Sequence, residues 1–242
     1  MKIRNEPLDW YIEKLQKGEH FAVTSMGDGE WIAVFKDRVG SENAEGTVYT
    51  KELCDDLAST LAYQADNFFH STPGDLEYTG LTGRIDKYLQ EHDLDIEFLD
   101  KNVWDKAVRA GELGPFIGEI RRHATCVVSN EAMQGLYFLN ARAFVEVGYP
   151  NAYENLVDAV NEAASVDCAV YIVAMGLAGP VFVRELHKRI GNRATIIEIG
   201  SCFDIFCGMG GQRGWRSECY IDPRKVLEVR RKNLDFLYDN EG

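Results

Sequence analysis

The chain has 242 residues, 45% of them hydrophobic, with 26 Lys and Arg against 39 Asp and Glu and a net charge of −13. That length and composition suit a globular protein with a substantial core and exclude an intrinsically disordered chain. The charge weighs against a broad basic footprint for nucleic acid; it suits a protein that recruits a divalent cation to meet an anionic ligand, and solubility alone is an equally good reason for it.

The N-terminal stretch "MKIRNEPLDWYIEKL" mixes polar and apolar residues and has no signal-peptide core. No window approaches the roughly 18–20 apolar residues of a membrane span, so no membrane contact is expected. The six cysteines, Cys54, Cys126, Cys168, Cys202, Cys207 and Cys219, lack a Cys-x-x-Cys pair. They read as reduced thiols of a cytoplasmic protein and not as a zinc site. The five histidines show no metal-ligand spacing, and His187 reads as a structural residue on a helix.

In chain order, residues 7–17 fit an amphipathic helix with Pro7 in its first turn. Residues 20–25 read as a strand that runs into the turn Gly27-Asp28-Gly29-Glu30, with a helix or turn over 30–35. Thr50 is placed to cap the helix "KELCDDLASTLAYQ". Residues 66–102, with a turn at "HSTPGD" and a short helix at "RIDKYLQEH", read as an irregular or inserted segment. Beyond them the alternation is regular: helices "VWDKAVRAG" and "PFIGEIRRH", strands "ATCVVSN" and "ARAFVEV", helix "NLVDAVNEAA", strand "CAVYIVAMG", helix "GPVFVRELHKRIG" and strand "ATIIEIG". Uninterrupted apolar strands between helices predict an α/β fold, a single doubly wound, mostly parallel Rossmann-like sheet with helices on both faces. One domain over 1–242 is expected, with a helical C-terminal extension at about 222–238.

Ligands of such sheets bind at the carboxyl ends of the strands, so those junctions are the places for chemistry. In the first, Asp28 and Glu30 offer hard carboxylate oxygens that suit Mg²⁺ or Mn²⁺, and the same residues suit a plain helix start. In the second, Gly176, Leu177, Ala178 and Gly179 lead from a buried strand into a helix opened by Pro180, which leaves backbone N–H groups facing outward. In the third, "IIEIGSCFDIF", Glu198 and Ser201 are placed to hold a ribose or a base. The fourth, "VVSNEAMQG", offers Ser129, Asn130 and Glu131 as sugar contacts or as a cap. The glycine-rich "CGMGGQRGWRSE" carries Arg213 and Arg216, which suit closure over a phosphate, although a solvated loop would look the same.

Together these pieces resemble the GT-D-fold glycosyltransferases, a family first known as a domain of unknown function. The likeness rests on the early GDGE after an apolar strand, on "NAEGTVYTKELCDDL", and on the late pair "VYIVAMGLAGPVFVREL" and "IIEIGS". It covers most of residues 20–205, patchily between 66 and 102. The resemblance implies a nucleotide-sugar donor, a uridine diphosphate sugar, with a divalent metal, Mn²⁺ or Mg²⁺. Asp28 and Glu30 would serve the metal and the diphosphate. Gly27 and Gly29 would let the backbone approach it, and the residues around Gly176 would lie against the nucleotide. Two departures stand out. Members often carry Arg-Phe before GDGE where this chain has Ser25-Met26, and Asp where Glu198 stands.

The implied acceptor is a hydroxyl on a glycan or glycoprotein, or on a modified DNA base. The net charge weighs against DNA, and Arg213, Arg216, Arg224, Arg230, Arg231 and Lys232 weigh for it. Glu131 and Asp204 are the candidate general bases. A nucleotide-binding module without transferase activity is the alternative. "IIEIGSCFDIF" also resembles the acidic loop of methyltransferases, but Cys202 stands where their second glycine belongs.

Overall fold

The computed structural model describes residues 1–76, 80–209, 219 and 222–237. Its strands are β1 (Lys2–Arg4), β2 (Ala22–Ser25), β3 (Phe68–Thr72), β4 (Glu97–Asp100), β5 (Thr125–Ser129), β6 (Ala143–Glu146), β7 (Val170–Ala174) and β8 (Thr195–Glu198). They form one sheet in the order β1-β4-β3-β2-β8-β7-β5-β6. Every pairing in it is parallel.

The helices that link the strands are α1 (Leu8–Gln16), α2 (Asp28–Val34), α3 (Lys51–Leu61), α4 (Thr82–Glu91), α5 (Asn102–Ala110), α6 (Gly114–Ile120), α7 (Leu156–Ser165) and α8 (Gly179–Ile190). After β8 come α9 (Asp204–Cys207) and α10 (Pro223–Leu234). Right-handed crossovers dictate which face each helix covers. Steps toward the β1 edge and the returns from β6 to β8 use α2, α3, α4, α7 and α8, whose Trp31, Leu57, Ile85, Val160 and Phe182 share one core. Steps in the other sense use α1, α5 and α6, whose Tyr11, Trp104 and Ile117 form the second core with Val226 of α10. Among the described residues, no helix is long and apolar enough to cross a membrane.

Local chemistry accounts for most of these elements. Thr50 accepts the Leu53 N–H at 3.1 Å and starts α3, as its position predicts. Gly111 closes α5 at φ +84°, a left-handed conformation that suits glycine. All five residues of β7 and all four of β8 are buried, as their apolar runs require. All six cysteines are free thiols, with only Cys207 partly exposed.

One segment differs from the sequence reading. Residues 66–102 are not irregular: they contribute β3 and β4 to the sheet, on either side of α4, the helix that "RIDKYLQEH" predicts. The strand β3 is hard to recognise because its buried residues include His70, Ser71 and Thr72, polar groups satisfied by neighbours rather than by apolar contact. Ser71 Oγ donates to the Thr24 carbonyl, and Trp31 Nε1 donates to Thr72 Oγ1. The helix expected at the C-terminus forms as α10 and is docked against α5. Fully buried Asn233 accepts the Leu113 N–H at 3.0 Å and donates to the Val108 and Val229 carbonyls, both at 2.8 Å.

Candidate active site

The carboxyl ends of β2, β5, β7 and β8 open into a cavity of about 690 Å³, within the usual range for small-ligand sites. The chain leaves β5 toward one face and β7 toward the other, so a crevice is unavoidable there. Two loops form the mouth and are tied together. Asn43 Oδ1 accepts the N–H groups of Glu45 and Thr47, both at 2.9 Å. Thr47 Oγ1 then donates to the Pro150 carbonyl, and the Val48 N–H to Asn151 Oδ1, both at 2.9 Å.

The GDGE turn starts α2. The Gly27 N–H donates to Glu30 Oε2 at 2.6 Å. This is the glutamate arm of a capping box; glycine has no side chain to make the other arm. Glu30 is therefore buried, while Asp28 is exposed on the same first turn. The two glycines are required by protein neighbours. A Cβ on Gly27 would stand 2.8 Å from Glu30 Oε2 and 3.0 Å from Lys101 Nζ, and one on Gly29 would stand 2.9 Å from Leu177 Cδ2.

Glu198 ends β8 on the cavity floor, 2% exposed. The register that sets Ala22 beside Ile196 brings it next to the end of β2, where its Oε2 accepts the Ser25 N–H at 2.7 Å. Burial pushes its carboxyl well above the usual range, and the Glu30 charge adds to the push; the Ser25 N–H and Lys101 oppose it. Tyr49 is buried beside the GDGE turn, and burial with the charges of Glu30 and Asp28 pushes its phenol up to about 12.

The cavity brings together Gly27, Asp28, Gly29, Glu30, Asn130, Gly176, Leu177, Glu198, Ser201 and Asp204. Asn130 also caps a short 3₁₀ turn by accepting the Ala132 N–H at 3.0 Å. Ala178, Gly179 and Glu131 lie outside the lining. Ala178 is buried, and Glu131 is exposed on the 3₁₀ turn. Gly179 is packed under Glu198, where an added Cβ would stand 2.1 Å from Oε1. Arg213 and Arg216 lie outside the described residues. Lys101 and Arg38 also line the cavity, and sequence reasoning missed both. Lys101 follows β4, and the stretch Ile96-Glu97-Phe98-Leu99, interrupted by one charge, is the signal that could have marked a strand ahead of it.

The donor set limits how a cation is held. Among the described residues, no group of three or more His, Cys, Asp or Glu side chains converges. Glu30 Oε2 is taken by the Gly27 N–H, which leaves Oε1 and the exposed Asp28 carboxylate. Mg²⁺-like ions commonly use one or two carboxylates and complete their shell with substrate phosphates and water. Asp28 and Glu30 therefore fit a cation that arrives with a diphosphate, and not one caged by protein alone.

No family model and no curated protein matches the sequence. Solved structures do. One is a domain of unknown function 1792 described as having a distinct glycosyltransferase fold, at 13% identity and a TM-score of 0.61, with 90% of this chain and 82% of that chain covered. Another is a new glycosyltransferase of the same domain type from Streptococcus sanguinis, at 14% identity and a TM-score of 0.60, with 90% and 85% covered. The fold is a GT-D-type glycosyltransferase fold. At these identities the likeness extends to the fold.

Proposed function

We propose that the protein is a glycosyltransferase that moves a sugar from a nucleoside diphosphate donor, a uridine diphosphate sugar, to an acceptor hydroxyl. The observation that carries this reading is the convergence of the GDGE turn, the Gly176 turn and the Ser201 turn on one cavity at the strand ends of a glycosyltransferase fold. A divalent cation, Mn²⁺ or Mg²⁺, would be held by Asp28 and the free oxygen of Glu30. When bound, it neutralises charge that builds on the leaving diphosphate.

The chain's own residues do the rest. Gly176, at φ +55°, turns the backbone so that the 3₁₀ turn Gly176–Ala178 runs straight into α8. The Ala178 and Gly179 N–H groups are taken by the Met175 and Gly176 carbonyls, which leaves those of Gly176 and Leu177 suited to a diphosphate oxygen. Asp204 lines the cavity, whereas Glu131 does not, so Asp204 is the carboxylate suited to take the acceptor proton. The acceptor is read as a glycan hydroxyl rather than a DNA base. Four of the six C-terminal cations that favoured DNA, those among the described residues, are engaged within the protein: Arg224 with Asp222, Arg231 with Asp235, Lys232 with Glu228, and Arg230 with the Ile205 carbonyl.

A thermal-shift and transfer assay across nucleotide sugars, with and without Mn²⁺, tests the proposal. One uridine diphosphate sugar should raise the melting temperature in a Mn²⁺-dependent manner; ligand at a hundred times its dissociation constant contributes about 2.7 kcal/mol. Asp28→Ala should fold normally, because the side chain is exposed, and should lose about hundred-fold or more in kcat/KM. Mn²⁺ alone should cause little shift. A folded protein that responds to no nucleotide sugar overturns the proposal, and binding without any transfer or hydrolysis favours a nucleotide-binding module.

A further inference from the structure

Lys101 follows the last residue of β4 and stands at the start of α5, where its N–H donates to the Thr72 carbonyl at 3.1 Å. Its neighbour Asp100 is fully engaged by other groups. Asp100 pairs with Lys106 at 2.8 Å and accepts the N–H groups of Gly74 and Asn102 at 3.1 and 3.0 Å. The Lys101 side chain turns instead into the cavity. Its Nζ stands 3.0 Å from the point a Gly27 Cβ would occupy, over the GDGE turn.

That ammonium is half-buried, yet it makes no hydrogen bond or ion pair among the described residues. It feels Glu198 electrostatically without touching it. A lysine that served only as a counter-ion would close onto a carboxylate, as Lys106 does on Asp100. Three unused donors over a glycine turn are instead a ready contact for an anion. The cavity also needs one. Asp28, Glu30, Glu45, Asp105 and Asp204 line it against two cations, Lys101 and Arg38, so a diphosphate that enters must meet positive charge there.

We propose that Lys101 is a direct contact for the diphosphate of the donor, gripping it over the GDGE turn from the β4–α5 junction. The inference rests on the nucleoside diphosphate reading above and adds to it a binding residue on a different element. Lysine supplies a point charge without the planar fork of arginine, which suits a diphosphate whose oxygens are shared with a cation.

Calorimetric titration of UDP, uridine and inorganic pyrophosphate into the protein, with Mn²⁺ and again in EDTA, provides the test. Lys101→Met should weaken UDP and pyrophosphate about ten- to hundred-fold and leave uridine unchanged, and Lys101→Arg should keep most of the affinity. Because removing the cation leaves Glu30 and Glu198 less compensated, Lys101→Met is also made with Glu30→Gln. If Lys101 contacts the diphosphate, the double variant folds and still binds UDP weakly. Recovery of UDP affinity in the double variant, or an unchanged affinity in Lys101→Met, overturns the proposal. Wild-type protein that binds no UDP at all overturns the donor reading itself, a result distinct from either.

Discussion

Two buried polar clusters lie on neighbouring strands of this sheet, and they are finished to different degrees. In the first, Thr24 Oγ1 meets His70 Nδ1 at 3.2 Å and His70 Nε2 meets the Tyr63 carbonyl at 3.3 Å. Tyr63 Oη then meets His187 Nδ1 at 2.9 Å, and His187 Nε2 meets Asn67 Oδ1 at 3.1 Å. Both ring nitrogens of each histidine have a partner. In the second cluster, at the strand ends, Glu198 and Glu30 are each held by one backbone N–H, and Lys101 by nothing among the described residues. A satisfied network makes one structure rigid; an incomplete one of like charges is costly to maintain for stability alone. The difference fits the first cluster to the fold and, on the function proposed above, the second to a ligand.

That contrast can be broken from either side. The largest effect should come from His70, whose imidazole burial pushes down to about 4 from an ordinary 6.5. Its folded value lies below the unfolded one, so the contribution is intact above pH 6.5 and is lost as pH falls toward 4. The loss is about 3 kcal/mol over that window. Denaturant titrations at successive pH values should show this slope in the wild type and a shallower one in His70→Gln. An unchanged slope would mean that the histidine is not held neutral by its cluster.

Next in size is Gly179→Ala, which forces a methyl group against Glu198 Oε1 and should cost about 1–3 kcal/mol in thermal or chemical denaturation. Shortening the opposing side chain with Glu198→Ala should return part of that loss. Simple additivity of the two changes would show that the close contact is not what excludes a side chain there.

The smallest effect, and the most diagnostic, is Glu198→Gln. The folded Glu198 carboxyl titrates well above the unfolded one, so its contribution is present below the unfolded value and declines as pH rises through the folded one. The amide should therefore change stability little near pH 4 and flatten the decline at higher pH. This slope runs opposite to that of His70, so parallel titrations of the two variants separate the clusters directly.

Much of the architecture could be read from short-range patterns. The apolar runs of β7 and β8, the amphipathic spacing of Tyr11, Ile12 and Leu15, and the Thr50 cap are each local signals, and each appears where its pattern places it. β3 and β4 escaped because His70, Ser71, Thr72 and Asp100 are buried on partners from other elements, which erases the hydrophobic signature of a strand. The three-residue β1 is too short to show a period at all. For the site, the GDGE turn and the Gly176 turn were visible because glycine and acidic residues after a buried strand form a contiguous motif.

The amino-acid sequence by itself therefore determined the alternation of strands and helices, the helix starts, and the presence of two carboxylates on a glycine turn, since each depends on residues within one or two turns of chain. Only the tertiary structure decided what those carboxylates face. Lys101 is more than seventy residues from Gly27, and Glu198 approaches the end of β2 only because β8 pairs with it in the middle of the sheet. Charge and burial at such a site are set by long-range approach, and no local pattern encodes it.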